Sequence, residues 1–306
     1  MLVVGATEHG VTVLSEGRPK ELPLNKAKRF NVYERDAIEV SAGERIRIGR
    51  NRRQQQLKDN RGLSSNKDQK NGVLVEETAQ FYENLPEIYA DSDSWHQLTH
   101  AWIRRHVDTN CANSRRVLNL GSGGESYGIS EEQMLHVDVA STRFSPEQNH
   151  IIADVQNLPS EIGRFDTCLC VGSVVNYCDA ALLINNIRDT LSPGGKVLIE
   201  FESSHSLDLI GTGAFRENAA LAPTFYNKKK IQLWAYSENY MRGLLKAAGF
   251  TVLKRETFHH LSPLVYLVTK NSNLSAKFQV FDGVLRKCPV LNRYSSNVIF
   301  LCEKIC

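Results

Sequence analysis

The sequence predicts an α/β fold: a mainly parallel sheet covered on both faces, preceded by a small β-rich module. Three observations predict it. Val117–Gly124, VLNLGSGG, reads as a buried strand running straight into a glycine cluster. After it, short apolar strand-like runs alternate with helical or polar connections, as βαβ units do. Before it, from residue 1 to about 49, short stretches of period-two alternation are separated by turn residues.

Composition narrows the class. With 306 residues, 42% hydrophobic content and a net charge of +3, the chain has room for one large domain and a smaller one, and fibrous or wholly disordered classes are excluded. The start, MLVVGATEHG, has a charged residue and glycines where a signal peptide needs an apolar core. No run approaches the roughly 18 apolar residues of a membrane span, so the expected location is cytoplasmic. Seven cysteines, at 111, 168, 170, 178, 288, 302 and 306, are odd in number, and several sit in strand-like runs. They read as small buried hydrophobes rather than a disulfide framework. Cys168 and Cys170 lack the spacing and the nearby histidines of a zinc site, and no metal site is expected.

In chain order, MLVV, GVTVLSEG, RFNVYERDAIEV and ERIRIGRN read as the strands of the module over 1–49, with Arg45, Ile46, Arg47 and Ile48 alternating basic and apolar. Residues 50–75 open with RNRRQQQLKDNRGLSSNKDQKNG, too polar to offset the entropy of ordering, and read as a basic linker. Arg50, Arg52, Arg53, Lys58 and Arg61 offer a weak nucleic-acid contact over 45–70, opposed by Asp59, Asp68 and the lack of an aromatic for base stacking. Residues 76–107 read as helical, with Asp93 or Ser94 capping WHQLTHAWIRRHV. Trp95, Leu98, Trp102 and Val107 form the stripe expected to lie on the sheet, and such a helix also suits a lid.

The run RRVLNL, MLHVDVA, HIIADVQNLP, FDTCLCVGSVVNY and SPGGKVLIEFE supplies five strands. A helix over 179–191 carries Leu183, Ile187 and Leu191 on one side. Gly121 and Gly123 let the backbone turn sharply and approach a ligand where a Cβ would clash. Asp138, 17 residues after Gly121, stands at the carboxyl end of the second strand, where a carboxylate can accept both ribose hydroxyls of a bound adenosine. Asp154 and Val155 follow the next strand and are placed to meet an adenine amino group.

As an ordered set, VLNLGSGG, HVDVA, IIADVQNLP, FDTCLCVGSVVNYCD and LSPGGKVLIEFE resemble the class I S-adenosylmethionine-dependent methyltransferases, over about Gln80 to Lys304. The resemblance implies a Rossmann-like, mainly parallel seven-stranded sheet over 76–306 and S-adenosyl-L-methionine as cofactor. Position by position, it implies Gly121, Ser122 and Gly123 beside the methionine and ribose, Asp138 and Val139 at the ribose, Asp154 and Val155 at the adenine, and Gly172 and Ser173 at the mouth of methyl transfer. Two departures stand out. Asn119 occupies a position that is usually acidic, so it can hydrogen-bond the amino-acid end but brings no charge. Glu125–Gln133, which contains Gly128, is about a turn short of the family's first helix. Nicotinamide dehydrogenases share the glycine turn but give no reason for the IIADVQNLP and FDTCLCVGSVVNY segments. Separately, Leu22–Asn51, ending VYERDAIEVSAGERIRIGRN, resembles a β-rich segment of conjugative relaxase-helicases, without their ATPase or relaxase motifs.

Methyl transfer from a sulfonium needs alignment and exclusion of water more than acid–base chemistry. Asn176 and Tyr177, read as lying just past a strand through GSVVNY, are the candidates for holding the acceptor, and His205 is the candidate base, with His259 and His260 in reserve. Insertions over 203–236, with Phe225, Tyr226 and Lys228, and over 262–296 flank the expected open face. They point to an oxygen or nitrogen acceptor on a small-molecule, glycan or lipid-like substrate. Leu274–Leu285, with Phe278, Phe281 and Leu285 beside Lys277, Arg286 and Lys287, suits a lid, a membrane-surface helix, a dimer contact or ordinary core packing. Neither a [DNS]PP[YF] tetrad nor a Pro-Cys pair follows the fourth strand, which disfavours methylation of nucleic-acid amino groups and of cytosine C5. The alternative is a nucleic-acid-associated methyltransferase-like protein, targeted by the basic N-terminal module, with weak or no turnover.

Overall fold

The computed structural model describes residues 2–6, 10–15, 18–23, 78–84, 93–226 and 229–305. The chain divides into two compact units, 1–66 and 67–306. In the first, β1 (Leu2–Ala6), β2 (Gly10–Ser15) and β3 (Arg18–Pro23) form an antiparallel sheet in that order. Strand β3 is not among the expected strands, and it carries Pro19 and Pro23. Among the described residues it pairs with β2 alone, and an edge strand tolerates a missing N–H. The expected strands RFNVYERDAIEV and ERIRIGRN, the linker and the basic stretch 45–70 lie outside the described residues.

The second unit begins with a helix over 78–83 (α1) and α2 (Ser94–Cys111). Asp93 caps α2, its carboxylate accepting the N–H groups of Trp95 and His96 at 3.1 and 3.3 Å. The stripe that α2 buries completely is Ile103, Val107 and Cys111, at four-residue spacing. Trp95, Leu98 and Trp102 are only half-buried, so the expected face is rotated toward the C-terminal half of the helix.

The sheet strands are β4 (Val117–Leu120), β5 (Met134–Asp138), β6 (His150–Ile152), β7 (Phe165–Cys170), β8 (Leu191–Glu202), β11 (Phe250–Phe258) and β12 (Asn297–Lys304). Strands β9 (Ala219–Tyr226) and β10 (Lys229–Tyr236) form a separate antiparallel hairpin inside the 203–236 insertion. The seven strands lie in the order β11-β12-β8-β7-β4-β5-β6. All neighbours are parallel from β6 to β8, and β12 runs antiparallel to both β8 and β11. The mainly parallel, seven-stranded Rossmann-like sheet implied by the resemblance is therefore present.

The two faces are covered unequally. α3 (Ala180–Thr190) and α4 (Glu238–Ala247) border the larger core, in which Leu183, Ile184, Ile187, Met241 and Leu245 are at most 1% exposed. α2 covers the other face over Val117, Met134, Leu169, Leu198 and Ile299. No α-helix joins β4 to β5 among the described residues; a 3-10 turn at Glu131–Gln133 takes its place. The cause is local. Tyr127 and Gly128 both have left-handed backbones, with φ of 52° and 87°, and two such residues in succession cannot continue a right-handed helix. Beyond β11, α5 (Ser262–Thr269), α6 (Ser272–Lys277), a 3-10 turn (Phe278–Phe281) and α7 (Asp282–Leu285) pack on one another and fill the second insertion.

Candidate functional site

The sheet changes direction between β4 and β7. From β4 the chain winds outward through β5 to β6; from β7 it winds the other way to β8. Neighbouring parallel strands whose connections leave on opposite sides open a crevice at their carboxyl ends, and open α/β sheets bind ligands there. A recess with about 840 Å³ of space, part of it open to solvent, lies at that point. Its wall includes Gly121, Ser122 and Gly123 after β4, Asp138 and Val139 after β5, Asp154 and Val155 after β6, and Gly172 after β7.

The geometry of the turn follows from its residues. Gly121 and Gly123 have φ of 61° and 55°, a region that costs an L side chain energy. Asp138 holds the turn in place. One carboxylate oxygen accepts the N–H of Gly123 at 2.8 Å and the other that of Ala140 at 2.9 Å. Each oxygen keeps a further lone pair for a hydroxyl donor. Asp154 closes a local turn by accepting the N–H of Gln156 at 2.9 Å and the amide of Asn157 at 2.9 Å, which presents Val155 to the recess.

Two expected cofactor contacts fall away from the wall. Asn119 is fully buried, donating to the carbonyl of Glu125 at 2.7 Å, while its Oδ1 has no hydrogen-bond partner. Ser173 adopts φ 61° and directs its N–H to the Glu200 carboxylate at 2.5 Å. Glu200 also accepts the amide of Asn297 at 2.6 Å. Burial pushes the Glu200 carboxyl above the ordinary carboxylate range, against the pull of those hydrogen bonds.

The candidates for acceptor chemistry separate. The expected strand through GSVVNY ends at Cys170, because Gly172 and Ser173 are both left-handed; Val174–Tyr177 is a 3-10 turn. That turn puts Tyr177 on the wall and drives Asn176 inward. Asn176 is fully buried. Its amide donates to the carbonyl of Trp234 at 2.5 Å and its oxygen accepts the N–H of Glu202 at 3.0 Å. Its role in holding an acceptor is therefore corrected to one of joining β8 to β10. His205 is likewise not on the wall. Its backbone N–H donates to the Ser203 hydroxyl oxygen, and burial followed by the nearby Arg216 lowers its pKa. His259 is fully buried, stacked on Trp95 at 4.2 Å and hydrogen-bonded to Thr99 at 2.8 Å, and burial lowers its pKa to about 3. Asp282 accepts the backbone N–H groups of both His259 and His260, so this pair anchors the α5–α7 layer.

Several wall residues have no signal in the sequence. Thr78 and Tyr82, one helical turn apart on α1, face the recess with Tyr127, Arg143 and Gln156. The Tyr82 and Tyr177 hydroxyls are 2.9 Å apart and their rings meet edge to face; Arg143 donates to the carbonyl of Tyr82. Of the N-terminal helices, α1 contributes to the wall of the recess, and a helical pattern alone does not say which of its residues turn inward.

No protein-family profile and no curated protein matches the chain. Solved structures similar to it include the 1,6-didemethyltoxoflavin-N1-methyltransferase of Burkholderia thailandensis with bound 1,6-didemethyltoxoflavin and S-adenosylhomocysteine. That likeness has 15% identity and a TM-score of 0.46, and covers 80% of this chain and 93% of that one. The [4+2]-cyclase SpnF is similar at 13% identity and a TM-score of 0.48, over 76% and 96% of the two chains. The glycopeptide N-methyltransferase MtfA, complexed with S-adenosylhomocysteine, is similar at 13% identity and a TM-score of 0.43, over 71% and 92%.

Proposed function

We propose that this chain is an S-adenosylmethionine-dependent methyltransferase that moves a methyl group by in-line displacement to a nitrogen or oxygen of a small-molecule, glycan or lipid-like acceptor. The observation that carries the reading is the meeting, at the change of direction between β4 and β7, of the Gly121–Gly123 turn, the Asp138 carboxylate and the Asp154–Val155 turn on one recess. A paired-hydroxyl acceptor beside bare glycine backbone suits a nucleoside.

The bound cofactor supplies an already activated methyl group. The residues of the chain then have three tasks. Asp138 fixes the glycine turn while it holds the ribose, Val155 and Val139 give the recess its apolar wall, and the left-handed Gly172 turn forms the mouth. Tyr177 and Tyr82 present hydroxyls to the acceptor and, with α1 above the recess, exclude water. No histidine is on the described wall. That favours a nitrogen whose lone pair is free at neutral pH over a hydroxyl that must first lose its proton.

Calorimetric titration with S-adenosylmethionine and S-adenosylhomocysteine, repeated on Asp138→Ala, tests the reading. Saturable binding that weakens in the variant supports it, and a labelled-methyl screen of amines and alcohols then defines the acceptor. Failure to bind either compound, or saturable binding of a nicotinamide dinucleotide instead, overturns it.

A further inference from the structure

The second insertion presents an inverted surface. Of the fifteen large apolar residues exposed among the described ones, nine lie between Leu264 and Leu291. Val268, Val280 and Val284 are 78%, 75% and 70% exposed. Its helices meanwhile bury small or polar residues: α5 buries Ser262 and Pro263, α6 buries Ser275 and Ala276, and α7 buries Asp282. A helix at a water-facing surface arranges these groups the other way round.

Charge identifies what such a surface meets. Lys270, Lys277, Lys287 and Arg293 are exposed. Asp282 is the sole acid between 262 and 294, and its carboxylate is 1% exposed and occupied by the N–H groups of His259 and His260. The layer therefore shows aliphatic side chains and positive charge with no exposed acid. Apolar side chains ringed by Lys and Arg suit the boundary of an anionic bilayer, where the chains enter between headgroups and the cations meet phosphate. A second copy of the same face would set cations against cations. Residues 24–77 would do the same, with thirteen Lys and Arg against eight Asp and Glu. Arg286 stacks on Trp102 at 4.3 Å, and with the Asp282 bonds this gives the layer a fixed seat.

We propose that the α5–α7 layer, Ser262 to Tyr294, is an interfacial surface that docks on anionic phospholipid membranes. No described helix is long and apolar enough to cross a bilayer, so the contact lies on the surface. The inference goes beyond methyl transfer and is read without turnover, so either can fail alone.

The test is co-sedimentation of the full chain with vesicles of phosphatidylcholine and phosphatidylserine at 7:3, and with phosphatidylcholine alone. Binding to the anionic vesicles is expected, weakened by salt. It should fall on the order of tenfold or more in Val280→Asp/Val284→Asp and in Lys277→Glu/Lys287→Glu, but not in Leu182→Asp on α3. All are exposed positions, and circular dichroism checks the folding of each variant. Equal binding to both vesicle types, no binding to either, or binding untouched by the two double variants overturns the proposal. So does a concentration-dependent dimer that Val280→Asp/Val284→Asp abolishes, since that makes a second copy the occupant.

Discussion

The Asp138 carboxylate accepts the N–H of Gly123 at 2.8 Å, so the end of one strand holds the glycine turn that follows its neighbour. Asp138→Ala should therefore remove a ribose acceptor and release the turn together. Asp138→Asn keeps one acceptor oxygen and should weaken cofactor binding less. Loss of about 1.5–3 kcal/mol of binding is expected for the alanine variant, the range for a hydrogen bond to a charged group. Calorimetric affinities of the two variants check the order; equal affinities would place the ribose elsewhere.

Gly121 is held by a different contact. A Cβ there would press into both methyls of Val174, 2.8 Å from Cγ1 and closer still to Cγ2, on a backbone with φ of 61°. Gly121→Ala should lower stability by about 1–3 kcal/mol, combining left-handed strain and overpacking. Val174→Ala in the same chain should return the overpacking part and leave the strain. Denaturant melts of the single and double variants measure that coupling, and strictly additive losses would show that Val174 is not what the Cβ meets.

What was legible in the sequence is what local pattern determines. Gly121, Asp138 and Asp154 stand at strand ends, and strand ends show where an apolar run stops. Asn176 was not legible in this way. Whether Val174–Tyr177 continues the strand or turns depends on the left-handed Gly172 and Ser173, and the Ser173 N–H is held by Glu200, buried 27 residues further on. Tyr82 and Arg143 reach the recess from outside the strand pattern altogether, 61 residues apart. The missing helix between β4 and β5 lies in between: the short segment and Gly128 showed in the sequence, whereas the left-handed backbone of Tyr127 did not.

Asn176 and Tyr177 should respond in opposite ways. Asn176→Ala leaves the Glu202 N–H and the Trp234 carbonyl without their partner, at about 1–3 kcal/mol for each buried group, so its effect belongs to stability. Tyr177→Phe keeps the edge-to-face contact with Tyr82 and loses the 2.9 Å hydroxyl pair. It should leave the melting temperature nearly unchanged and raise the acceptor KM. Melting curves beside steady-state kinetics separate the two; a stable Asn176→Ala protein with selectively lost turnover would restore Asn176 to the acceptor site.

The dependence of stability on pH follows from two groups with opposite signs, the buried His259 and the half-buried Glu202. Burial lowers the His259 pKa to about 3 from an ordinary 6.5, so below 6.5 the unfolded chain binds the proton that the folded one refuses. That contribution is present above 6.5 and is lost as pH falls toward 3. Burial first, then the charges of Glu200 and Asp208, raise the Glu202 pKa to about 8 from an ordinary 4.5. The folded state then keeps a proton that the unfolded chain has released, and its stability falls as pH rises from 4.5 to 8. Each group acts at up to about 1.4 kcal/mol per pH unit. Between 4.5 and 6.5 the two slopes oppose, so stability should be greatest in that window and decline on both sides. Glu202→Gln removes one titration and should flatten the decline between 6.5 and 8 while leaving the acid side intact. Denaturant midpoints taken from pH 4 to 8.5 decide it: an alkaline decline that survives in Glu202→Gln assigns that limb to Glu200 and Asp208, whose carboxyls burial also raises.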